Sequence, residues 1–252
     1  REDITLENVL FVRLGTANAK LPVSQHFRPE IRIVPSAEHV HRVVLRLDNQ
    51  VLYDGNTVPR DLEIDTRNLS DGTHTLQITV VDTLGNRVSD SLELPVDNTW
   101  QMRDDLLPPL ASGWLGSVDR AKTYERSSGW EYATDHPDQF AGDDSRLVLR
   151  GSGYEFLAWK VSNLRSFTVT AYATEETMVD HLKFEVSADG HEWQEVTQVS
   201  VESFPLPGSW TGVTVTGQVP RDVTAQFLRL SADVGLISEG LQLGWVEFLG
   251  RH

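Results

Sequence analysis

The sequence contains no cysteine. That excludes a disulfide framework, a thiolate zinc site, an iron–sulfur cluster and a cysteine nucleophile. No apolar run approaches the ~18 residues of a membrane-spanning helix, and no signal peptide remains at the start. Beginning at Arg1 rather than Met, the chain reads as a mature product or an excised piece. Positive charge is scarce: 22 Lys and Arg stand against 37 Asp and Glu, a formal charge of −15. A nucleic-acid partner would need a basic stripe for its phosphates, so that class is excluded. Methionine is rare, at 2, whereas tryptophan is abundant, at 7. With 252 residues the chain can form two domains that each bury a core.

Helical periodicity is a further absence. No stretch keeps an apolar stripe of period 3.6 for three turns, and a helix begun near Asp104 would be stopped by Pro108-Pro109. Strand patterns dominate instead. In Val43-Val44-Leu45-Arg46-Leu47 and Thr75-Leu76-Gln77-Ile78-Thr79-Val80-Val81, apolar residues alternate with polar or β-branched ones, the period-2 signature of half-buried strands. Turn residues punctuate them: Asp48-Asn49-Gln50, Asp54-Gly55-Asn56, Ser70-Asp71-Gly72 and Leu84-Gly85-Asn86. The expected fold class is all-β.

Composition changes at Asp97-Asn98-Thr99, which divides residues 1–98 from residues 99–252. The first 99 residues hold one Tyr and no Trp, and all seven Trp follow. Both parts are acidic, with 10 basic and 15 acidic residues before the boundary and 12 and 22 after it, so neither is a basic arm.

The N-terminal part resembles the immunoglobulin-like modules of multidomain bacterial extracellular proteins. The resemblance lies in Val44-Leu45-Arg46-Leu47-Asp48, Leu62-Glu63-Ile64-Asp65, Asp71-Gly72-Thr73-His74-Thr75-Leu76 and Asp82-Thr83-Leu84-Gly85-Asn86, and covers roughly residues 30–98. Short strands with frequent turn signals independently suggest a sandwich. Such modules are spacers or docking surfaces, and the resemblance implies that role here. Residues 1–29 supply a first strand or a preceding linker.

The C-terminal part resembles the galactose-binding-like jelly rolls, which include discoidin domains and many carbohydrate-binding modules. Two stretches carry it: Phe184-Glu185-Val186-Ser187-Ala188-Asp189-Gly190-His191-Glu192-Trp193, and Phe227-Leu228-Arg229-Leu230-Ser231 answered by Leu243-Gly244-Trp245-Val246-Glu247-Phe248. It covers about residues 113–250 and implies a second β-sandwich. The terminal disulfide of the strict discoidin branch has no counterpart.

Sugar-binding proteins use Trp or Tyr as flat platforms for pyranose faces, with polar side chains at the ring's edge. Trp159, between Leu157 and Val161, is expected in the core, as are Trp193 and Trp245, the last with a domain interface as the alternative. Trp100 is expected to pack at the domain junction. Trp114, Trp130 and Trp210 are framed by Gly and Ser, a loop composition, and each is either a hydrophobic plug or a ligand platform. Tyr132 and Tyr154 are placed similarly. The richest run is Gly129-Trp130-Glu131-Tyr132-Ala133-Thr134-Asp135-His136-Pro137-Asp138, continuing through Asp143-Asp144 to Arg146. Asp135, His136 and Arg146 are its candidate polar ligands. Arg146 would suit an acidic sugar, but a salt bridge to Asp143 or Asp144 is the favoured reading.

Calcium takes six to eight oxygens. The resemblance implies a structural calcium near an end of the jelly roll, with Asp135, Asp138, Asp143, Asp144 and Glu247 as candidate ligands. His39 and His41 could share a strand face as a transition-metal pair, but no third ligand is evident and solvent-facing histidines are expected.

Enzyme motifs are missing: no Gly-x-Ser-x-Gly, His-Glu-x-x-His, phosphate loop or Gly-x-Gly-x-x-Gly. The expected function is therefore non-catalytic: a polysaccharide- or oligosaccharide-binding region, covalently linked to a catalytic domain in a larger, secreted, bacterial parent chain. An adhesion or structural module is the alternative. A small polysaccharide lyase or hydrolase, its paired carboxylates drawn from distant strands, is the third reading.

Overall fold

The computed structural model describes residues 10–16, 19–34, 39–111, 117–118, 120–150, 153–237 and 240–252. The chain divides into two compact units, one ending at Thr99 and one spanning Trp100–Arg251. Nearly all regular structure is β, as the alternating patterns and turn residues predict.

The N-terminal unit contains β1 (Phe11–Gly15), β2 (His26–Phe27), β3 (Glu30–Val34), β4 (Val40–Leu47), β5 (Gln50–Gly55), β6 (Ile64–Asp65), β7 (Gly72–Asp82) and β8 (Arg87–Val96). An antiparallel sheet of order β5-β4-β7-β8 is accompanied by the pairs β1-β3 and β2-β6. Alternation builds the core: Val43, Leu45 and Leu47 meet Leu76, Ile78 and Val80 on one buried face. Two polar pins fix its loops. Asn98 is fully buried, accepting from Thr66 Oγ1 at 3.1 Å and donating to the Thr66 carbonyl at 2.7 Å. His74 sits between the Asp48 carboxylate, 2.7 Å from Nδ1, and the Ser70 carbonyl, 2.9 Å from Nε2. Both partners are acceptors, so the ring donates from both nitrogens as an imidazolium. Hydrogen bonding to Asp48 raises the His74 pKa accordingly.

The C-terminal unit contains β9 (Thr99–Asp104), β10 (Leu110–Ala111), β11 (Ser117–Val118), β12 (Glu125–Arg126), β13 (Trp130–Ala133), β14 (Arg146–Leu149) and β15 (Tyr154–Lys160). It continues through β16 (Leu164–Ala173), β17 (Leu182–Ser187), β18 (Gln194–Glu195), β19 (Val199–Pro205), β20 (Thr211–Gln218), β21 (Phe227–Asp233) and β22 (Leu241–Arg251). One sheet has the order β12-β15-β21-β17-β18. The other runs β13-β14-β22-β16-β20-β19, with β9 also pairing β22. From β14 to β17, and again from β20 to β22, the chain alternates between sheets, which is jelly-roll winding. Trp159 is fully buried between the sheets, as expected, 5.5 Å from the Phe248 ring. Its indole N–H donates to Asp104 Oδ2 at 2.8 Å, so the buried polar atom is satisfied. Trp100 donates to the Ser162 carbonyl at 2.7 Å, and Gly250 leaves room for its ring, since a Cβ there would lie 2.3 Å from Trp100 Cζ2.

Candidate functional site

The loop between β13 and β14 begins in a strand. Trp130 and Tyr132 pair with Leu149 and Leu147, whose side chains are in the core, so both aromatics point inward and Glu131 points out. Trp130 is 5% exposed. The Gly/Ser frame that suggests a loop ends one residue too early: Trp-Glu-Tyr-Ala is itself a period-2 strand. Trp130 is thus a core residue, and Tyr132 is a half-buried one packed against that core with Arg126 4.9 Å from its ring centre. Trp130 Nε1 and Tyr132 Oη are buried without a hydrogen-bond partner among the described residues. Trp114 lies outside the described residues.

Beyond β13 the chain turns sharply. His136 has φ 47° and ψ 48°, a left-handed conformation that a non-glycine residue adopts at a cost of about 1–3 kcal/mol. A short 3-10 turn, Pro137–Gln139, follows. The amides of Gly142 and Asp143 then donate to the carbonyls of Pro137 and Phe140, closing the loop on itself.

Arg146, at the start of β14, fixes this loop from beneath. Its side chain is fully buried and each of its three nitrogens donates. Nε donates to Gln242 Oε1 at 2.8 Å, and Nη1 to the Asp143 carbonyl at 2.6 Å. Nη2 donates to the Asp135 carbonyl at 2.5 Å and to Asp135 Oδ1 at 3.1 Å. The sequence reading paired Arg146 with the Asp143 or Asp144 side chain. Its carboxylate partner is instead Asp135, and Asp143 offers only its carbonyl. A guanidinium this enclosed cannot reach a ligand; it positions the residues that can.

Aromatic rings extend the same column outward. The Arg146 guanidinium lies 3.9 Å from the Phe140 ring centre. Phe140 meets Tyr172 at 5.1 Å and, edge to face, Trp210 at 5.1 Å. Trp210, from the β19–β20 turn, is half-buried, with Pro207, Gly208 and Ser209 exposed beside it. Tyr172 donates to Asp143 Oδ2 at 3.0 Å, and burial raises the Asp143 pKa. Gly244 admits this pair: a Cβ there would lie 2.5 Å from Asp143 Oδ2 and 2.9 Å from the Tyr172 ring. The structure therefore gathers Asp135, His136, Arg146 and Trp210 at one end of the sandwich, joined by Phe140, Tyr172 and Gln242. Asp135 and His136 are exposed at the tip, and the Asp135 side chain is 69% exposed. Tyr154 is not among them. It opens β15 in the other sheet, 55% exposed, donating to Ser231 Oγ at 2.5 Å.

The five candidate calcium ligands do not converge. Asp135 holds Arg146, Asp143 accepts from Tyr172 and from the Ser145 amide, and Glu247 pairs with Arg103 at 3.4 Å in another part of the sheet. Among the described residues no three Asp, Glu or His side chains come together as a metal-binding cluster.

Two aromatics assigned to the core by sequence are partly exposed. Trp245 follows a β-bulge: Thr170 pairs Trp245 and Ala171 pairs Leu243, leaving Gly244 unmatched. Strict alternation from Leu243 would turn Trp245 inward, and the extra residue sends it to the outer face. Arg103 stacks on its ring at 4.4 Å. Trp193 is likewise half-buried, with Arg229 stacked on it at 4.1 Å. Arg229 is held by Glu185, 2.9 and 2.8 Å from its Nε and Nη2. Burial raises the Glu185 carboxyl, but hydrogen bonds from Arg229 and Lys183 outweigh it and leave its pKa lowered.

No curated protein matches the chain. Among solved structures, carbohydrate-binding modules from the β-sandwich superfamily share 10% identity over 96% of this chain and 95% of theirs, with a TM-score of 0.25. The tandem CBM51 modules of a family 98 glycoside hydrolase from Streptococcus pneumoniae share 15% identity over 84% of this chain and 72% of theirs, at 0.32. CBM51-2 with the INT domains of Clostridium perfringens ZmpB, in complex with GlcNAc, shares 13% identity over 72% of this chain, at 0.27; the match spans 38% of that protein's chain. The N-terminal part is matched by sequence: residues 20–98 fit the family model of the bacterial Ig-like domain.

Proposed function

We propose that the C-terminal unit is a non-catalytic glycan-binding module, and that its site is the loop end held by Arg146. The observation that carries this reading is the column Trp210–Phe140–Arg146–Asp135, which ties a half-buried indole to an exposed polar tip. Trp210 offers a flat apolar surface. Asp135 and His136 present a hydrogen-bond acceptor and a ring nitrogen, on backbone that the buried guanidinium already fixes. Pre-organisation of this kind lowers the entropy lost on binding. A shallow site of this type gives millimolar to micromolar affinity, about −4 to −8 kcal/mol.

The N-terminal unit acts as a spacer, and the pair serves to hold a tethered catalytic domain of a secreted parent protein near its polysaccharide. Tethering raises effective concentration without a new catalytic group. A glycan microarray probed with the full chain tests the reading. Binding to a defined glycan class is expected, with about tenfold loss in both Trp210→Ala and His136→Asn. Asn is chosen because it tolerates the left-handed backbone at position 136.

A structural module is favoured instead by one observation, the edge-to-face seat of Trp210 on Phe140, which is also how a plug packs. Acrylamide quenching separates the two. An accessible Trp210 shielded by glycan supports binding; an inaccessible, ligand-insensitive indole supports the plug.

A further inference from the structure

We infer that β19, an edge strand of the seven-stranded sheet, is a pairing surface for a second copy of this chain, joining two sheets into one across a two-fold axis at Val201. The inference is independent of the glycan reading, because no residue of the loop end takes part in it.

An open sheet edge is a template for further pairing, and edges are ordinarily guarded by shortness, bulges or charge. The other sheet edges of the C-terminal unit, among the described residues, are short: β12 and β18 have two residues each and β13 has four. In the N-terminal unit β5 carries a register shift at Leu52, and β8 presents Asp90, which accepts from the Leu14 amide. β19 has none of these guards. It runs seven residues, Val-Ser-Val-Glu-Ser-Phe-Pro, in unbroken register with β20, and its one charged residue is Glu202. Its core-facing side is also uncovered. Val201 pairs with the buried Val215, so Val201 and Val199 face the core side, yet they are 43% and 39% exposed.

The backbone selects both the partner and the register. The Gln218 amide donates to the Gln198 carbonyl at 2.9 Å, so pairs of the same parity, Ser200 with Thr216 and Glu202 with Thr214, exchange hydrogen bonds inside the sheet. The N–H and C=O groups of Val199, Val201 and Ser203 therefore point away from β20, toward the open edge. A second, antiparallel β19 centred on Val201 meets them. Val201 then opposes its own copy and Val199 opposes the partner's Ser203, with the reciprocal pair on the other side of the axis, each pair exchanging two hydrogen bonds. The same register sets Glu202 against the partner's Ser200, a carboxylate facing a hydroxyl donor, and keeps like charges apart. Centring on Glu202 instead would oppose two carboxylates and would place Pro205, which lacks an N–H, in a hydrogen-bonding pair. On the core-facing side, Val199 and Val201 of both copies would form one apolar strip, withdrawn from water. The contact uses the same patch twice, so it closes as a dimer rather than growing into a filament.

Sedimentation velocity of the full chain, from micromolar to submillimolar concentration in physiological salt, tests this. The mass should rise with concentration from that of one chain toward that of two. Val201→Lys, which sets two ammonium groups against each other on the axis, should raise the dimer Kd at least tenfold. Ser203→Pro should do the same, since it deletes an outward N–H and leaves the β20 ladder intact. Because the chain has no cysteine, single-cysteine variants read the register directly. Val201→Cys should cross-link to a dimer under mild oxidation, its two Cα atoms about 5.5 Å apart. Ser203→Cys, roughly 14 Å along the strand from its own copy, should not. Val201→Cys is the conservative change, so it tests the contact even where Val201→Lys fails to fold. A single-chain mass at every concentration overturns the proposal. So does a dimer that persists unchanged in Val201→Lys and Ser203→Pro, or one cross-linked by Ser203→Cys and not by Val201→Cys.

Discussion

Arg146 decides what the richest stretch of the sequence does. Read as a string, the Asp135 to Arg146 segment looks like an exposed cluster of charge; folded, its one cation is enclosed and spends its donors on the carbonyls of Asp135 and Asp143 and on Gln242. Removing a buried charge partner leaves acceptors unpaired, so Arg146→Met should cost about 3–5 kcal/mol. Urea unfolding followed by tryptophan fluorescence measures this in the C-terminal unit alone, because all seven Trp lie there. A change below 1 kcal/mol would mean that the loop holds without the guanidinium. Tyr172→Phe should cost about 1–3 kcal/mol by leaving Asp143 Oδ2 without its donor. His74 makes a prediction about pH. Its pKa is raised in the folded state from 6.5, chiefly by the hydrogen bond to Asp48, so its stabilising effect is full below pH 6.5 and is lost as pH rises through the folded value. The His74→Gln variant should therefore fall short of wild type at pH 5.5 and approach it at pH 9, as calorimetry of the N-terminal transition would report.

Elements explain which residues were legible in the sequence. Regular alternation was enough for β4 and β7, for the turn at Asp48, and for Trp159, whose neighbours Leu157 and Val161 share its buried surroundings. Alternation fails where a strand carries an extra residue. Trp245 reads as core because Leu241 and Leu243 are core, and only the unmatched Gly244 reverses the face. Nothing in Leu-Gly-Trp announces a bulge, since glycine there equally suits an ordinary close approach. Trp130 fails in the opposite direction, because Ser127-Ser128-Gly129 looks like a loop that continues and the strand has already begun. The polar tip at Asp135 and His136 was legible from composition. Its anchor was not, because burial of Arg146 depends on Phe140, Tyr172 and Gln242, brought from three separate segments. Gly244→Ala tests the bulge. It should cost about 1–3 kcal/mol by pushing Asp143 and Tyr172 outward, and should also weaken glycan binding at the loop end. Full binding with lost stability would separate the bulge from the site.

At the scale of the molecule, the absence of cysteine leaves packing and polar pins to hold both units. The calcium expectation is open to a direct test. Because Asp135, Asp143 and Glu247 are engaged by Arg146, Tyr172 and Arg103 and no three acidic or histidine side chains converge among the described residues, EDTA should leave the melting temperature of both units unchanged, and a fall of several degrees would contradict this. The central claim is that the loop end receives a sugar ring. Crystals of the full chain soaked with the oligosaccharide selected on the array test it most directly. The account predicts a ring stacked on Trp210, within hydrogen-bond reach of His136 or Asp135, with Arg146 still bound to the Asp135 and Asp143 carbonyls. An empty loop end at millimolar oligosaccharide, with the sugar bound elsewhere or nowhere, would contradict it.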